Sequence, residues 1–283
     1  MSPILLSEAR DRLRAIKVVY TDLDGTMMGR GGSFLHAPDG SPTLDPARAL
    51  LAAHEAGIDV VPVSGRALTG LLYDARVLSL STVIADMGAQ IAYGFGREIV
   101  ENYGATPDGE RTPVQVMEQT GAIDLLLATH AGRLEFHAPW HRLRDCTQLF
   151  RGLVDPLEVE DLLERNGHDW LTIIDNGRLH GEYLGLPQGQ AHVYHLLPKG
   201  VSKGAAVSID RERRGIPIED TLAIGDSYAD LELAANAGVF VLVGDALEHD
   251  ARLRPIVEGS DNVIVTDRPQ NLGWADTITA ICG

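Results

Sequence analysis

Short apolar runs alternate with amphipathic stretches through the first third of the chain. Val18-Val19-Tyr20-Thr21 has the unbroken apolar character of a buried strand and ends at Asp22. Leu44 to Ala56 repeats its apolar positions at helical spacing, with Asp45-Pro46 at the start and Gly57 as the stop. Ile58 to Val63 is a second strand pattern, ending at Ser64. Arg66 to Leu78 is a second helix, and Thr82 to Ala85 a third strand. Strand, helix and strand at this spacing predict a parallel sheet with crossover helices. The pattern resumes after residue 200. Ser202 to Arg214 is helical and closed by Gly215, Thr221 to Gly225 is a strand ending at Asp226, and Tyr228 to Ala237 is a helix. Val239 to Val243 and Asn262 to Val265 read as strands, and Leu272 to Ile281 as a last helix.

The stretch from about residue 90 to 195 breaks this rhythm. It holds Trp140, Trp170 and most of the histidines, and turn dipeptides stand at Asp108-Gly109, Asn166-Gly167 and Asn176-Gly177. It reads as an α+β module of hairpin-like elements inserted into the α/β chain. The expected organisation is therefore a Rossmann-like parallel-sheet core formed by residues 1–90 and 195–283, with an inserted cap over residues 91–194. A hydrophobic fraction of 45% in 283 residues is enough for a sizeable core.

The net charge of -16 argues against a nucleic-acid or anionic-membrane partner, both of which need basic patches. It leaves room for a phosphorylated substrate, because one cation and a few placed basic groups make a local positive site. Lysine occurs only at 17, 199 and 203, so a dedicated lysine has few candidates. Cys146 and Cys282 are far apart and lack metal-ligand spacing, which argues against a disulfide framework or a zinc site and fits a cytoplasmic protein. The early charges Glu8, Arg10, Asp11, Arg12 and Arg14 do not fit a secretory signal, and no apolar run approaches membrane-spanning length.

Chemistry-bearing residues gather where strands end. Asp22-Leu23-Asp24-Gly25-Thr26 follows the first strand, and ligands of open parallel sheets bind at the carboxyl ends of strands. Two carboxylates at alternate positions there repel each other unless a cation lies between them. Ser64-Gly65-Arg66 offers a hydroxyl and a backbone N–H at a helix start, an anion-binding arrangement. Lys203-Gly204 opens a helix, and Gly225-Asp226 ends a strand with Asp230 one helical turn on. Taken singly, Asp22 and Asp226 are ordinary turn residues, Ser64 a helix cap and Lys203 a surface charge. Together, in this order, they converge on one crevice.

These strings, Asp22-Leu23-Asp24-Gly25-Thr26, Val63-Ser64-Gly65-Arg66, Lys203-Gly204 and Gly225-Asp226-Ser227-Tyr228-Ala229-Asp230, resemble the motifs of the haloacid dehalogenase superfamily. The long insert resembles the C2, type IIB cap of its Cof-like and sucrose-phosphatase-like branch. The resemblance implies a phosphoric monoester hydrolase in which Asp22 is the nucleophile and Asp24 the general acid and base. It further implies that Ser64, Gly65 and Lys203 hold the phosphate, that Asp22, Asp24 (through its carbonyl) and Asp226 hold Mg²⁺, and that Asp230 supports them. Two positions depart from the branch: Ala229 and Asp245 stand where it usually has Asn.

Specificity in such a hydrolase comes from the cap. Arg133, His137, Trp140, His141, Arg142, Arg144, Arg178 and His180, with Arg66 from the core, are the candidates for contact with the leaving group. Aromatic and cationic groups side by side suit a sugar phosphate or a phosphorylated sugar acid, a small metabolite. Tyr194-His195-Leu196-Leu197 and Gly273-Trp274 also resemble mannosyl-3-phosphoglycerate phosphatases. The alternatives are a phosphomutase of the phosphomannomutase type, which returns the phosphoryl group to product, and a non-catalytic binding module on the same fold.

Overall fold

The computed structural model describes residues 4–13, 15–179, 182–187 and 189–283. After β1 (Ile4–Leu5), the first half of the core contains β2 (Val18–Thr21), α1 (Asp45–Glu55), β3 (Asp59–Pro62), α2 (Leu68–Val77) and β4 (Val83–Ala85), then the strands β5 (Gln90–Tyr93) and β6 (Glu98–Glu101). The middle supplies α3 (Pro113–Gln119), α4 (Ala122–Thr129), β7 (Leu134–Phe136), β8 (Gln148–Gly152), α5 (Pro156–Arg165), β9 (Leu171–Arg178) and β10 (His192–Pro198). The chain then returns with α6 (Lys203–Arg214), β11 (Thr221–Gly225), α7 (Leu231–Ala234), β12 (Val239–Leu242), α8 (Ala246–His249), α9 (Leu253–Gly259), β13 (Val263–Val265) and α10 (Gln270–Cys282).

The main sheet has the order β1-β13-β12-β11-β2-β3 and is parallel throughout. Every residue of β2 and β11 is buried, which is why these strands read as continuous apolar runs rather than alternating ones. The chain leaves β2 toward β3 on one side and leaves β11 toward β12 on the other. The order thus reverses between β2 and β11, and a crevice opens beyond their carboxyl ends.

The inserted part builds its own antiparallel sheet, β7-β8-β10-β9. One face packs Phe150, Tyr194, Leu196, Leu171 and Ile173 against Met117, Ile123, Leu126, Val159 and Leu163 of the helices. Because side chains alternate along a strand, His195 and Leu197 point to the opposite face. There Leu197 joins Met87, Ala89, Cys146 and Val201 in a small cluster at the junction with the core. The divisions at 90/91 and 194/195 fall inside two elements. β5 and β6 pair with β4, and Ile91 and Ala92 belong to the main core cluster, whereas β10 runs through to Pro198 as a strand of the inserted sheet.

Most expected elements shorten by a residue or two. The largest change is after Asp226, where Tyr228–Asp230 form a 3-10 turn and only Leu231–Ala234 an α-helix, because the Ser227 and Asp230 side chains tie the turn down. None of the three turn dipeptides closes a hairpin. Asp108 accepts from the Glu110 N–H ahead of α3, Asn166-Gly167 ends α5, and Asn176-Gly177 lies inside β9 beside a shift of register with β10. The left-handed backbone that such dipeptides allow serves a helix end or a bulge as readily as a hairpin. Cys146 and Cys282 are free thiols, and among the described residues no helix is long and apolar enough to cross a membrane.

Candidate active site

Asp22 is the first residue beyond β2. Its N–H donates to the Ile224 carbonyl (2.9 Å), so the β2–β11 ladder carries into the crevice. Buried Lys203, at the start of α6, donates from Nζ to Asp22 Oδ1 (2.6 Å) and Asp230 Oδ1 (2.7 Å). The other Asp230 oxygen accepts from Ser227 Oγ (2.8 Å), Ser227 N (3.2 Å) and Asp226 N (3.3 Å). Asp230 is thereby spent on holding the Gly225–Asp230 turn and aiming Lys203. Asp226 Oδ1 accepts from Thr26 Oγ1 (3.0 Å), and a Cβ on Gly25 would come 2.5 Å from Asp226 Oδ2. Gly25, at φ +89°, is required both for the turn and for the room it leaves that carboxylate.

Carboxylate oxygens of Asp22, Asp226 and Asp230 lie within 4.8 Å of one another. Burial pushes Asp22 up to about 7, against the pull of Lys203, and Asp230 adds to the rise. Burial and the neighbouring Asp22 raise Asp226 well above the carboxylate range. Burial alone would lower Lys203, but Asp22 and Asp230 outweigh it and keep the ammonium charged. One ammonium does not balance this much negative charge. Oxygen-only donors and an unneutralised pair fit a hard divalent cation such as Mg²⁺, held by Asp22 and Asp226, because Asp230 is engaged elsewhere.

Ser64 is buried beyond β3, beside Asp22 through the Val63 N–H to Thr21 carbonyl bond (2.7 Å). Its hydroxyl accepts from the Arg66 N–H (3.2 Å), so that N–H is engaged locally. Arg66 forks onto Asp24 (Nε to Oδ2 2.9 Å, Nη2 to Oδ1 2.5 Å) and also reaches Asp74 (2.6 Å). It is therefore a partner of Asp24, not an open contact for a leaving group.

The cap candidates do not gather in one place. Trp140 is 65% exposed, Arg142 and Arg178 are exposed, and His180 lies outside the described residues. His141 stacks on Phe136 (4.7 Å) at a cavity of about 550 Å³ lined also by Thr69, Arg142 and Arg144. Arg133 turns to His130 (3.0 Å). Burial, then Arg151 and Arg144, lower His137 to about 4. Arg144 reaches the core, donating to Asp86 and to the Gly65 carbonyl. Asp245 is occupied by the Gln270 N–H and side-chain amide (3.2 Å each). Tyr194 bonds to both the N–H and the carbonyl of Val154, and Trp274 packs edge-on against Phe34, so these two rings serve packing.

Sequence reasoning missed Asp86 and Thr147, and it gave Thr26 no role beyond its place in the first motif, whereas its hydroxyl holds Asp226. Asp86 carries the signal that marked the others, an acidic residue just past a strand end, since β4 stops at Ala85.

The fold is therefore a parallel core with an acidic, lysine-bridged crevice and an inserted module that meets it at a small apolar junction. Residues 178–250 match the family model for haloacid dehalogenase-like hydrolases. A protein of Pyrobaculum aerophilum named phosphoglycolate phosphatase is 26% identical over 269 residues, covering 94% of this chain and 96% of its own. A haloacid dehalogenase-like hydrolase from Bacteroides thetaiotaomicron shares the fold at TM-score 0.62 and 20% identity, over 93% of this chain and 98% of its own. So does the sucrose-phosphatase of Synechocystis, solved with sucrose and phosphate, at TM-score 0.62 and 13% identity, over 95% and 98%. The chain thus shares its fold with haloacid dehalogenase-like hydrolases, and its residues 178–250 resemble their family model. A protein of Methanoculleus marisnigri, 25% identical over 235 residues that cover 82% of this chain and 85% of its own, is also named phosphoglycolate phosphatase.

Proposed function

We propose that the protein is a Mg²⁺-dependent phosphatase that hydrolyses a small phosphomonoester through an aspartyl phosphate on Asp22. The observation that carries this is Lys203 bridging the buried Asp22 and Asp230. A carboxylate attacks a phosphoryl dianion only when their repulsion is offset, and Lys203 stands where it does so. Asp22 and Asp226, with the Asp24 carbonyl, would hold Mg²⁺, which supplies further positive charge against the phosphoryl oxygens.

In the first step an Asp22 oxygen bonds to phosphorus as the ester P–O bond breaks. Asp24 gives its proton to the departing alkoxide, and Ser64 donates to a phosphoryl oxygen. In the second step Asp24 takes a proton from water, the water oxygen bonds to phosphorus, and inorganic phosphate leaves Asp22 free. Asp24 must first let go of Arg66, which holds both its oxygens. The substrate class we propose is a phosphorylated sugar or sugar acid. It is supported by relatives named for phosphoglycolate and a structural neighbour that binds sucrose and phosphate.

Phosphate release from a panel of hexose phosphates and phosphorylated hydroxy acids, with Mg²⁺ and again with excess chelator, tests the reading. Release that requires the metal is the expected result. Full activity in chelator would remove the metal role, and an isomeric ester in place of phosphate would make the protein a mutase.

A further inference from the structure

The polar centre of the junction between cap and core lies outside the residues that carry the reaction. Asp86 and Arg144 are paired there at 2.6 Å with side chains only 1% and 3% exposed. Arg144 Nη1 also donates to Thr147 Oγ1 (2.9 Å), and Nη2 donates to the Gly65 carbonyl (2.9 Å). Asp86 accepts from the N–H groups of Cys146 and Thr147 (3.1 Å each) and from the Thr147 hydroxyl (2.5 Å). That hydroxyl has one proton, which it gives to Asp86. It therefore accepts from His195 Nδ1 (3.2 Å), which makes His195 the Nδ1–H tautomer. His195 Nε2 is left facing Gly65, 2.9 Å from where a Cβ on that residue would stand.

Asp86 opens a turn that touches both phosphate-holding elements. Asp86, Met87 and Gly88 follow one another at φ +52°, +61° and +95°, a run that non-glycine residues adopt only under constraint. The Asp86 N–H donates to the Arg66 carbonyl (2.9 Å) and the Met87 N–H to the Ser64 carbonyl (3.2 Å). Gly88 lies so close to α6 that a Cβ would come 2.1 Å from the Ser202 carbonyl oxygen and 3.0 Å from the Lys203 nitrogen. The turn is wedged between Ser64-Gly65 and Lys203, and three cap residues hold it from the other side.

We infer that Arg144, supported by Asp86, Thr147 and His195, is a positioning residue that sets the Ser64-Gly65 phosphate seat from the cap. The cap then fixes the affinity for the phosphoryl group itself, in addition to whatever it reads of the leaving group. This rests on Ser64-Gly65 being a phosphate seat, as proposed above.

The test is binding of inorganic phosphate to the Mg²⁺-loaded protein by titration calorimetry, together with turnover of p-nitrophenyl phosphate and thermal unfolding. Arg144→Gln should weaken phosphate binding about tenfold, as for loss of a charge-assisted bond that holds the seat. Arg144→Lys can meet Asp86 but cannot fork onto the Gly65 carbonyl as well. It should recover most of the lost thermal stability and little of the phosphate affinity, a split that a purely structural role does not produce. Phosphate affinity within about twofold of wild type in both folded variants overturns the inference. Should neither variant fold, the nearly isosteric Thr147→Val decides by the same readout, with a rise in Kd of about threefold expected and an unchanged Kd overturning the inference. Wild-type protein that binds phosphate but turns over no ester breaks the phosphatase reading and leaves this one standing. Wild-type protein that binds no phosphate ends both.

Discussion

Two buried ion pairs lie on either side of the Asp86–Gly88 turn, and they are built to different ends. At the junction, Asp86 meets Arg144, two backbone N–H groups and a hydroxyl, so its oxygens are fully used. Beyond β2, Lys203 faces Asp22 and Asp230 with Asp226 close by, and the carboxylates outnumber the cation. Burial drives Asp22 up to about 7 despite Lys203. A satisfied pair makes a fixed joint. An under-neutralised one stores repulsion that a divalent cation or a phosphoryl group changes on binding, which suits chemistry better than stability.

The sharpest way to break the comparison is to remove charge from each side. Asp22→Asn should lower turnover by about four orders of magnitude or more, since the amide is a poor nucleophile. Stability should hold or rise, because one member of a repelling cluster is gone. Steady-state rates and melting temperature on the same protein check both halves. Asp86→Asn should do the reverse to stability, costing about 3 kcal/mol or more, because it strips Arg144 of a buried counter-ion and points an amide NH₂ at N–H donors. Chemical denaturation measures this, and a loss well under 1 kcal/mol would mean the joint is not the fixed element described.

Lys203→Ala should cost about two orders of magnitude in kcat/KM, the scale of losing one preorganised electrostatic group. Lys199→Ala should be nearly silent, because Lys199 lies exposed at the end of β10. If Lys199→Ala proves the crippled variant, Lys203 is not the phosphate-holding lysine. The smallest effect concerns His195. Burial holds it well below its ordinary value, with Arg144 and Lys203 adding to the shift. A depressed histidine binds its proton in the unfolded chain first, so the stability it contributes is complete above about pH 6.5 and falls as pH drops below that value. His195→Asn should flatten the acid-side loss of unfolding free energy, measured by chemical denaturation between about pH 6.5 and 5, by up to about 1 kcal/mol per pH unit. His130, His137, His141 and His168 are shifted the same way and retain the rest of the slope.

The core was legible because its signals are local. A run such as Val18 to Thr21, buried on both faces, needs no partner to be recognised as a strand, and Asp22, Ser64 and Asp226 follow strand ends where the backbone leaves the sheet. The inserted part was read in outline only. Its dipeptides at 108, 166 and 176 were consistent with hairpin turns, yet the first leads into a helix, the second ends one and the third lies at a bend in a strand, because φ/ψ preference states which backbone is allowed and not which neighbours use it. Arg66 stood next to Ser64 and looked like a substrate contact, but Asp24 and Asp74 claim its guanidinium from 42 residues upstream and 8 downstream.

The order of apolar runs and the identity of the residues that end them were sufficient to specify a parallel core and an acidic, lysine-bearing crevice. Both depend on backbone alternation and on side-chain types read one at a time. Only the tertiary structure decided that Asp230 is spent on Lys203 and its own turn, that Arg66 holds Asp24, and that Arg144 crosses from cap to core. These are contests between distant groups for one partner within hydrogen-bond reach. They turn on a few ångströms of separation and on the exclusion of water, which emerge only when distant segments of the chain are folded together.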